Sequence, residues 1–400
     1  MSRAPRPRFP VPVLIETSAA LAALVARLRT EPYVTVDTEF MRERTFWPEL
    51  CVVQLGGAEE VAVIDALATD LDLAPLGELF ADQNVLKVFH AARQDIEICV
   101  LRWGAVPTPL FDTQVAGMVA GFGDQAGYDT LVQQLTGGQI DKAHRFSDWS
   151  ARPLSPAQLA YAAADVTWLR LVYERLRERL EADRRLEWVT QEMAILTDPA
   201  TYRTEPEDAW QRLRPRSTNR RFLGMVRALA AWREREAQRI NIPRQRVLKD
   251  ETLLELAATA PDTPEGLARA RGITRGFAEG RGGTALLEAI AAARDEPDDA
   301  MPPALRGPES SERSSPALVA LLKVLLAACC ERHHVAPKLV ALSDDLDRLA
   351  LGQDEGLSVL HGWRRTVFGA EALALREGRV ALGVAGREVR VIPIGAGERP

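Results

Sequence analysis

The stretch 34-VTVDTEFMRERTFWPELCVVQL-55 decides the fold. Its two ends are rich in β-branched and apolar residues, as strands are. Yet Asp37 and Glu39 stand two residues apart inside the first run. Alternate residues of a strand share a face, so both carboxylates point the same way, with α-carbons about 6.6 Å apart. The setting between Tyr33-Val34-Thr35-Val36 and Phe40-Met41 predicts burial on both faces. Two like charges there must be solvated, share a proton or hold a cation. No basic residue lies within the strand, and an unpaired buried carboxylate is costly. A divalent cation is the simplest neutraliser, and two carboxylates do not complete its shell.

Outward from this stretch, YVTVDTEF (33–40), LCVVQLGG (50–57) and VAVIDA (61–66) follow in quick succession and predict an antiparallel meander. LKVFH (86–90) is a further strand, leading into the helical AARQDIEICVLRWG, which carries Asp95 near its start. PLFDT (109–113) reads as an apolar turn before helix-like segments around 113–121 and 129–136. SPAQLAYAAADVTWLRLVYERLRERLEA predicts one long helix with Ser155 as N-cap and Pro156 in its first turn. Tyr161 and Asp165, four apart, share a face of that helix. The small alanines between them allow close approach to another element. Alone, each acidic element has an ordinary structural reading; together and in this order they form a specific pattern.

Further along, 197–210 reads as a linker, 210–295 as helices with short turns, and 295–316 as a flexible linker rich in Pro, Ser and charge. Residues 316–380 are again helical, and the tail over 381–400 alternates like a small hairpin turning at Ala385-Gly386. INIPRQRVLKDETLLELA (240–257) and HHVAPKLVALSDDLDRLA (333–350) share an apolar–Pro–basic element, an acidic turn and L-x-x-L-A, which suggests a tandem helical module. Cys51, Cys99, Cys329 and Cys330 lack ligand or disulfide spacing. No apolar run approaches the roughly 20 residues of a membrane span, and the start MSRAPRPRFPVPVL lacks the core of a secretory signal. A cytoplasmic protein is expected. The net charge of −6 excludes a uniformly basic nucleic-acid coat. Residues 201–250 nevertheless hold thirteen Arg/Lys against six Asp/Glu. That window is either a solvated helix face or a surface that tracks phosphates.

VDTEF, VFHAARQDIE and YAAADV resemble the three motifs of the DEDD exonuclease superfamily, in its tyrosine-bearing branch. The histidine branch carries His five residues before the last Asp, where this chain has Ala160. FSDWSARPLSPAQLAYAAADV (146–166) is similar to ribonuclease D, and the helical modules resemble the HRDC domains that follow its nuclease domain. The resemblance implies an α/β ribonuclease-H-like 3′–5′ exonuclease domain over 1–200, with a mixed sheet flanked by helices. Two small all-α HRDC-like domains would follow, at 210–295 and 316–380, and then the tail over 381–400.

It further implies metal-dependent hydrolysis of RNA from the 3′ end to 5′-mononucleotides, in the maturation of transfer-RNA precursors. Two divalent cations, Mg²⁺ or Mn²⁺, would be bound. Asp37 would bridge both, Glu39 and Asp165 would complete one, and Asp95 would hold the other largely through water. Tyr161 would aim the attacking water, since a phenol with a pKa near 10 is a poor base at neutral pH. Phe40 and His90 are candidate substrate contacts, with core aromatic and buried histidine as their ordinary readings. Asp148, Trp149 and Arg152 are assigned to ordering the last helix. No membrane and no obligate protein partner is expected. The alternatives are a DNA exonuclease of the same superfamily, disfavoured by the absence of a GxxxxGK[ST] signature, and an inert RNA-binding scaffold, disfavoured by five intact motif residues.

Overall fold

Alternating side chains over 33–56 build the two long strands at the centre of a six-stranded mixed sheet. The computed structural model describes residues 10–394 apart from Lys142, Phe146, Thr204, Arg214, Arg216, Thr218 and 303–313. The expectations attached to Phe146, Arg214 and Arg216, to half of the 295–316 linker and to the end of the tail lie outside the described residues. In chain order the first part contains β1 (Val13–Ile15), α1 (Ser18–Leu28), β2 (Tyr33–Met41), β3 (Glu49–Gly56), β4 (Val61–Asp65), α2 (Ala74–Ala81) and β5 (Leu86–Phe89). It continues with α3 (Arg93–Trp103), β6 (Leu110–Asp112), α4 (Thr113–Val119), α5 (Tyr128–Thr136), α6 (Pro156–Ala182) and α7 (Leu186–Leu196).

The sheet order is β1-β4-β3-β2-β5-β6. β3 and β4 pair antiparallel, while β1–β4, β2–β5 and β5–β6 are parallel. The meander read from the sequence is therefore present, and helical crossovers supply the parallel pairs, as they must. Two three-residue strands, β1 and β6, escaped the sequence reading because three residues display no period; β6 is the LFD of the supposed apolar turn.

α6 is launched by a capping box. The Ser155 hydroxyl accepts from the Gln158 N–H at 3.2 Å, and the Gln158 side chain accepts from the Ser155 N–H at 3.0 Å. Its small residues Ala162, Ala163 and Val166 are buried against the sheet. Thr35 of β2, fully buried, donates its hydroxyl to the Val166 carbonyl at 2.8 Å. That bond ties the acid-bearing strand to the acid-bearing helix. Arg152 anchors the segment before α6 from below: its guanidinium grips Asp65 at 2.6 and 2.7 Å and donates to the carbonyls of Trp149 and Cys51.

The chain divides into two compact units, one of residues 1–39, 50–202 and 312–400 and the other of 40–49 and 203–311. Within the first, the C-terminal helices close on α4 and α7. Trp188 and Trp363 stack with ring centroids 4.8 Å apart. Buried Glu192 accepts from Trp363 Nε1 at 3.1 Å and pairs with Arg364 at 2.7 Å. Arg185 donates to the carbonyls of His333, His334 and Val119. The hairpin at the end pairs Val380–Ala385 with Glu388–Pro393 through a turn at Gly386-Arg387.

The second unit is helical, around the long Arg220–Ile240. The 197–210 linker instead forms short 3-10 turns at Pro199–Tyr202 and Pro206–Leu213. Many arginines of the basic window are spent on partners inside this unit. Arg233 pairs with Asp250, Arg244 and Arg212 with the buried Glu234, Arg227 with Glu296, Arg221 with Asp298, and Arg239 with Glu236.

Candidate active site

β2 places Asp37 and Glu39 on the face that meets α6, and the turn of α6 opposite them carries Asp165. One carboxylate oxygen from each of the three lies within 4.8 Å of the other two. Asp165 is 7% exposed, whereas Asp37 and Glu39 are half-buried, Asp37 at the wall of a cavity. Burial foremost raises all three carboxyls, and neighbouring acids add to it at Asp37 and Glu39. Glu39 is pushed up to about 9 by burial, then by Asp37, Asp165 and Asp95. Asp165 is pushed up to about 7 by burial, against a hydrogen bond from Tyr161. Asp37 is raised by burial and then by Asp165, against a backbone N–H at Thr38. Buried acids gathered this closely favour a cation among them.

Asp95, in the first turn of α3, stands apart from that triplet. It is buried, and the hydroxyl of Thr38 donates to its carboxylate in a short bond. Its carboxyl is raised by burial and then by Asp37, so it is within electrostatic reach of the cluster. The structure thus brings three predicted ligands together directly and holds the fourth behind Thr38.

Asp112 makes Asp95 possible. This buried carboxylate caps α4 through the N–H of Gln114 at 2.7 Å and also accepts from the N–H groups of Ala91 at 3.0 Å and Ala92 at 2.8 Å. Ala91 has a φ of +56°, a left-handed conformation that a non-glycine residue rarely adopts. The bonds to Asp112 hold it there, and so aim α3. Asp112 was not singled out in the sequence, although the Asp-Thr pair before a helical stretch is an N-cap signal.

A cavity of about 360 Å³ opens beside the acids, lined by Asp37, Asp165, Tyr161, His90, Tyr128 and Arg145 among others. Tyr161 is half-buried within it, its ring 6.0 Å from the Trp149 ring and 6.3 Å from His144. Burial, then Asp165, Glu39 and Asp37, push its phenol well up, which rules it out as a base at neutral pH. Tyr128 donates its hydroxyl to the backbone carbonyl of Asp165, pinning the helix turn that carries the acid. Neither Tyr128 nor Arg145 was among the sequence candidates; no motif spacing marks them.

His90 lies in the cavity wall with Nδ1 3.0 Å from the Thr113 hydroxyl, which itself donates to the Phe89 carbonyl at 3.0 Å. Burial lowers its pKa, against Asp112 and Asp129, so the ring is neutral near pH 7. Phe40 is half-buried and does not line this cavity. Arg152 does not line this cavity, which fits an ordering role, and Trp149 is buried.

A set of carboxylate oxygens without imidazole or thiolate suits hard divalent cations such as Mg²⁺ and Mn²⁺. The raised carboxyls fit that demand: a bound dication would replace the protons that the fold otherwise retains.

The comparisons with known proteins agree with this geometry. Residues 12–181 match the 3′-5′ exonuclease family and residues 222–290 match the HRDC domain. Ribonuclease D of Granulibacter bethesdensis is 67% identical over 395 residues, covering 99% of this chain and 100% of that protein. Ribonuclease D of Gluconacetobacter diazotrophicus is 65% identical over 393 residues, covering 98% and 100%. The crystal structure of Escherichia coli RNase D, an exoribonuclease involved in structured RNA processing, superposes with a TM-score of 0.79 at 28% identity, covering 93% of this chain and 99% of that one.

Proposed function

The chain belongs to the ribonuclease D family of 3′–5′ exoribonucleases, and from that premise we propose a metal-dependent trimming of structured RNA 3′ ends at the Asp37 cluster. The observation that carries the metal dependence is the convergence of Asp37, Glu39 and Asp165 within 4.8 Å, with carboxyls raised by burial and, at Glu39, also by the neighbouring acids. Asp37, Glu39 and Asp165 would hold one divalent ion, and Asp95, with Asp37, a second. Such ions supply a more acidic water and positive charge for both the attacking and the leaving oxygen of a phosphodiester.

The protein's own groups do the rest. Tyr161, hydrogen-bonded to Asp165, orients the attacking water without taking its proton. Tyr128 and Thr35 hold the α6 turn so that Asp165 stays in register with Asp37. His90 in the cavity wall contacts the terminal nucleotide, and Phe40, next along β2 from Glu39, flanks it. The substrate is RNA, a transfer-RNA precursor or a similarly structured 3′ end, by analogy with the structured RNA handled by the Escherichia coli enzyme. The protein would act in the cytoplasm; among the described residues no helix is long and apolar enough to cross a membrane. The domain division at 1–200, 210–295, 316–380 and 381–400 stands as part of the same proposal, with the second helical module resting on the 333–350 repeat.

The test is degradation of matched end-labelled RNA and DNA oligonucleotides with Mg²⁺, with Mn²⁺ and with chelator, by the protein and its Asp165→Asn variant. Stepwise 3′ shortening of RNA that needs a divalent ion and falls by about 1,000-fold or more in the variant is expected, since the acid is both ligand and anchor for Tyr161. Unchanged cleavage by Asp165→Asn, or cleavage in chelator, would refute the metal mechanism.

A further inference from the structure

Gln54 of β3 is fully buried, and neither its Nε2 nor its Oε1 has a hydrogen-bond partner. Buried side-chain amides are nearly always satisfied, so an orphaned one needs a reason. Its position supplies one. Thr35 of β2 and Gly56 of β3 face each other: the Thr35 hydroxyl lies 3.3 Å from the Gly56 carbonyl, and a Cβ on Gly56 would collide with it. β2 and β3 are sheet neighbours joined through 42–48, so they run antiparallel. Two residues further along each strand, Gln54 therefore faces Asp37. Residues so opposed have Cβ atoms about 4.5–5.5 Å apart, within reach of a glutamine side chain.

Alternation puts Gln54 on the same side as Thr35, beneath α6, which bears Asp165. The surroundings there are apolar: Val63 across β4, and Val61, Ala163 and Val166 nearby, all buried. A leucine or methionine would suit that packing, so packing does not explain the amide. Gln54 is also outside the lining of the cavity.

We propose that Gln54 is a positioning residue for the acidic cluster, its carboxamide N–H donating to the Asp37 carboxylate from the side away from the cavity. The bond is unmade in the structure, and it would be made with the Asp37 carboxylate turned to hold a divalent cation. Partners of this kind fix a ligand's orientation, and their removal typically weakens metal affinity 10- to 100-fold. The inference rests on the metal reading of the cluster given above.

Gln54→Met and Gln54→Leu separate positioning from packing. Mn²⁺ affinity is read by isothermal titration calorimetry, and the thermal midpoint is read in chelator. The expected result is a midpoint equal to or above that of the natural protein, because an orphaned amide has been removed, with Mn²⁺ affinity at least tenfold weaker. Should Gln54→Met fail to fold, Gln54→Leu carries the same comparison. Unchanged Mn²⁺ affinity in a folded variant overturns the inference, and so does a joint fall of midpoint and affinity, which marks a structural role. If the natural protein takes up no Mn²⁺ while Asp165→Asn behaves identically, the metal reading itself fails and this inference with it.

Discussion

Stripping the protein of divalent ions and raising the pH from 6.5 to 8.0 should lower its stability, and Mn²⁺ should reverse the loss more strongly at the higher pH. Glu39 sits at about 9 in the fold and Asp165 at about 7, against ordinary values near 4. A carboxyl whose folded value is raised binds its proton more tightly folded than unfolded. Its contribution to stability is complete below the unfolded value and is lost as pH climbs through the folded one. For Glu39 and Asp165 that window runs from about pH 4 to about 9. Each group that stays protonated in the fold but ionises in the unfolded chain removes about 1.4 kcal/mol per pH unit.

Over 1.5 units Glu39 keeps its proton for most of the range, while Asp165 surrenders its own near the middle. Together they remove about 2 kcal/mol, after discounting Glu39 for the water at the open edge of the cluster. At roughly 2–4 °C per kcal/mol for a domain of this size, the midpoint should drop about 4–8 °C. The range is bounded deliberately. Burial lowers His90, whose effect has the opposite sign but is complete above its ordinary value near 6.5. Burial also lowers Lys87 to about 8, which acts oppositely only above that pH.

Because the dication takes the place of the retained protons, its affinity rises with pH. The stabilisation by a fixed Mn²⁺ concentration, RT ln(1 + [Mn²⁺]/Kd), should therefore grow from pH 6.5 to 8.0. Scanning calorimetry in chelator and in millimolar Mn²⁺ makes the measurement. A chelated midpoint that is flat or rises across this range, or an Mn²⁺ shift equal at both ends, would refute the account of the cluster as crowded, proton-holding acids.

Tyr161→Phe should lower kcat about 100-fold with KM and Mn²⁺ affinity little changed, since it misplaces the water and removes no ligand; steady-state kinetics on a labelled RNA decides, and a raised KM with intact kcat would contradict it. Arg152→Ala should cost about 3 kcal/mol in urea unfolding, because it strands the nearly buried Asp65 and removes a donor from the carbonyls of Trp149, Ala151 and Cys51. A loss under about 1 kcal/mol would mean that the segment before α6 is held by something else.

What could be read from the sequence was whatever repeats or caps locally. The strand period of two put Asp37 and Glu39 on one face, and a single helical turn put Tyr161 beside Asp165. The start of α6 was legible because Ser155 stands directly before Pro156, while the capping box completed by Gln158 was not read. The site's supports were not legible, because they join residues far apart in the chain. Thr38 holds Asp95 across 57 positions, and Tyr128 holds the carbonyl of Asp165 across 37. Gln54 is one polar residue in an apolar strand, and only the pairing of β2 with β3 sets it against Asp37.

The same reasoning explains the one reading whose weight shifts. A window rich in arginine looked like a phosphate-tracking surface because a local charge count includes only local acids. Arg227 and Arg221 in fact find their carboxylates at Glu296 and Asp298, outside the window, and Arg244 finds the buried Glu234 on the long helix. A guanidinium held by an internal carboxylate must give up that bond to bind a phosphate fully, and the Glu234 and Arg233 pairs, each with a buried member, are the costliest to open. Counterion release upon RNA binding should therefore be smaller than thirteen basic residues imply. The excess charge of the window thus acts first as internal cement for the helices, and only its remainder is offered to nucleic acid.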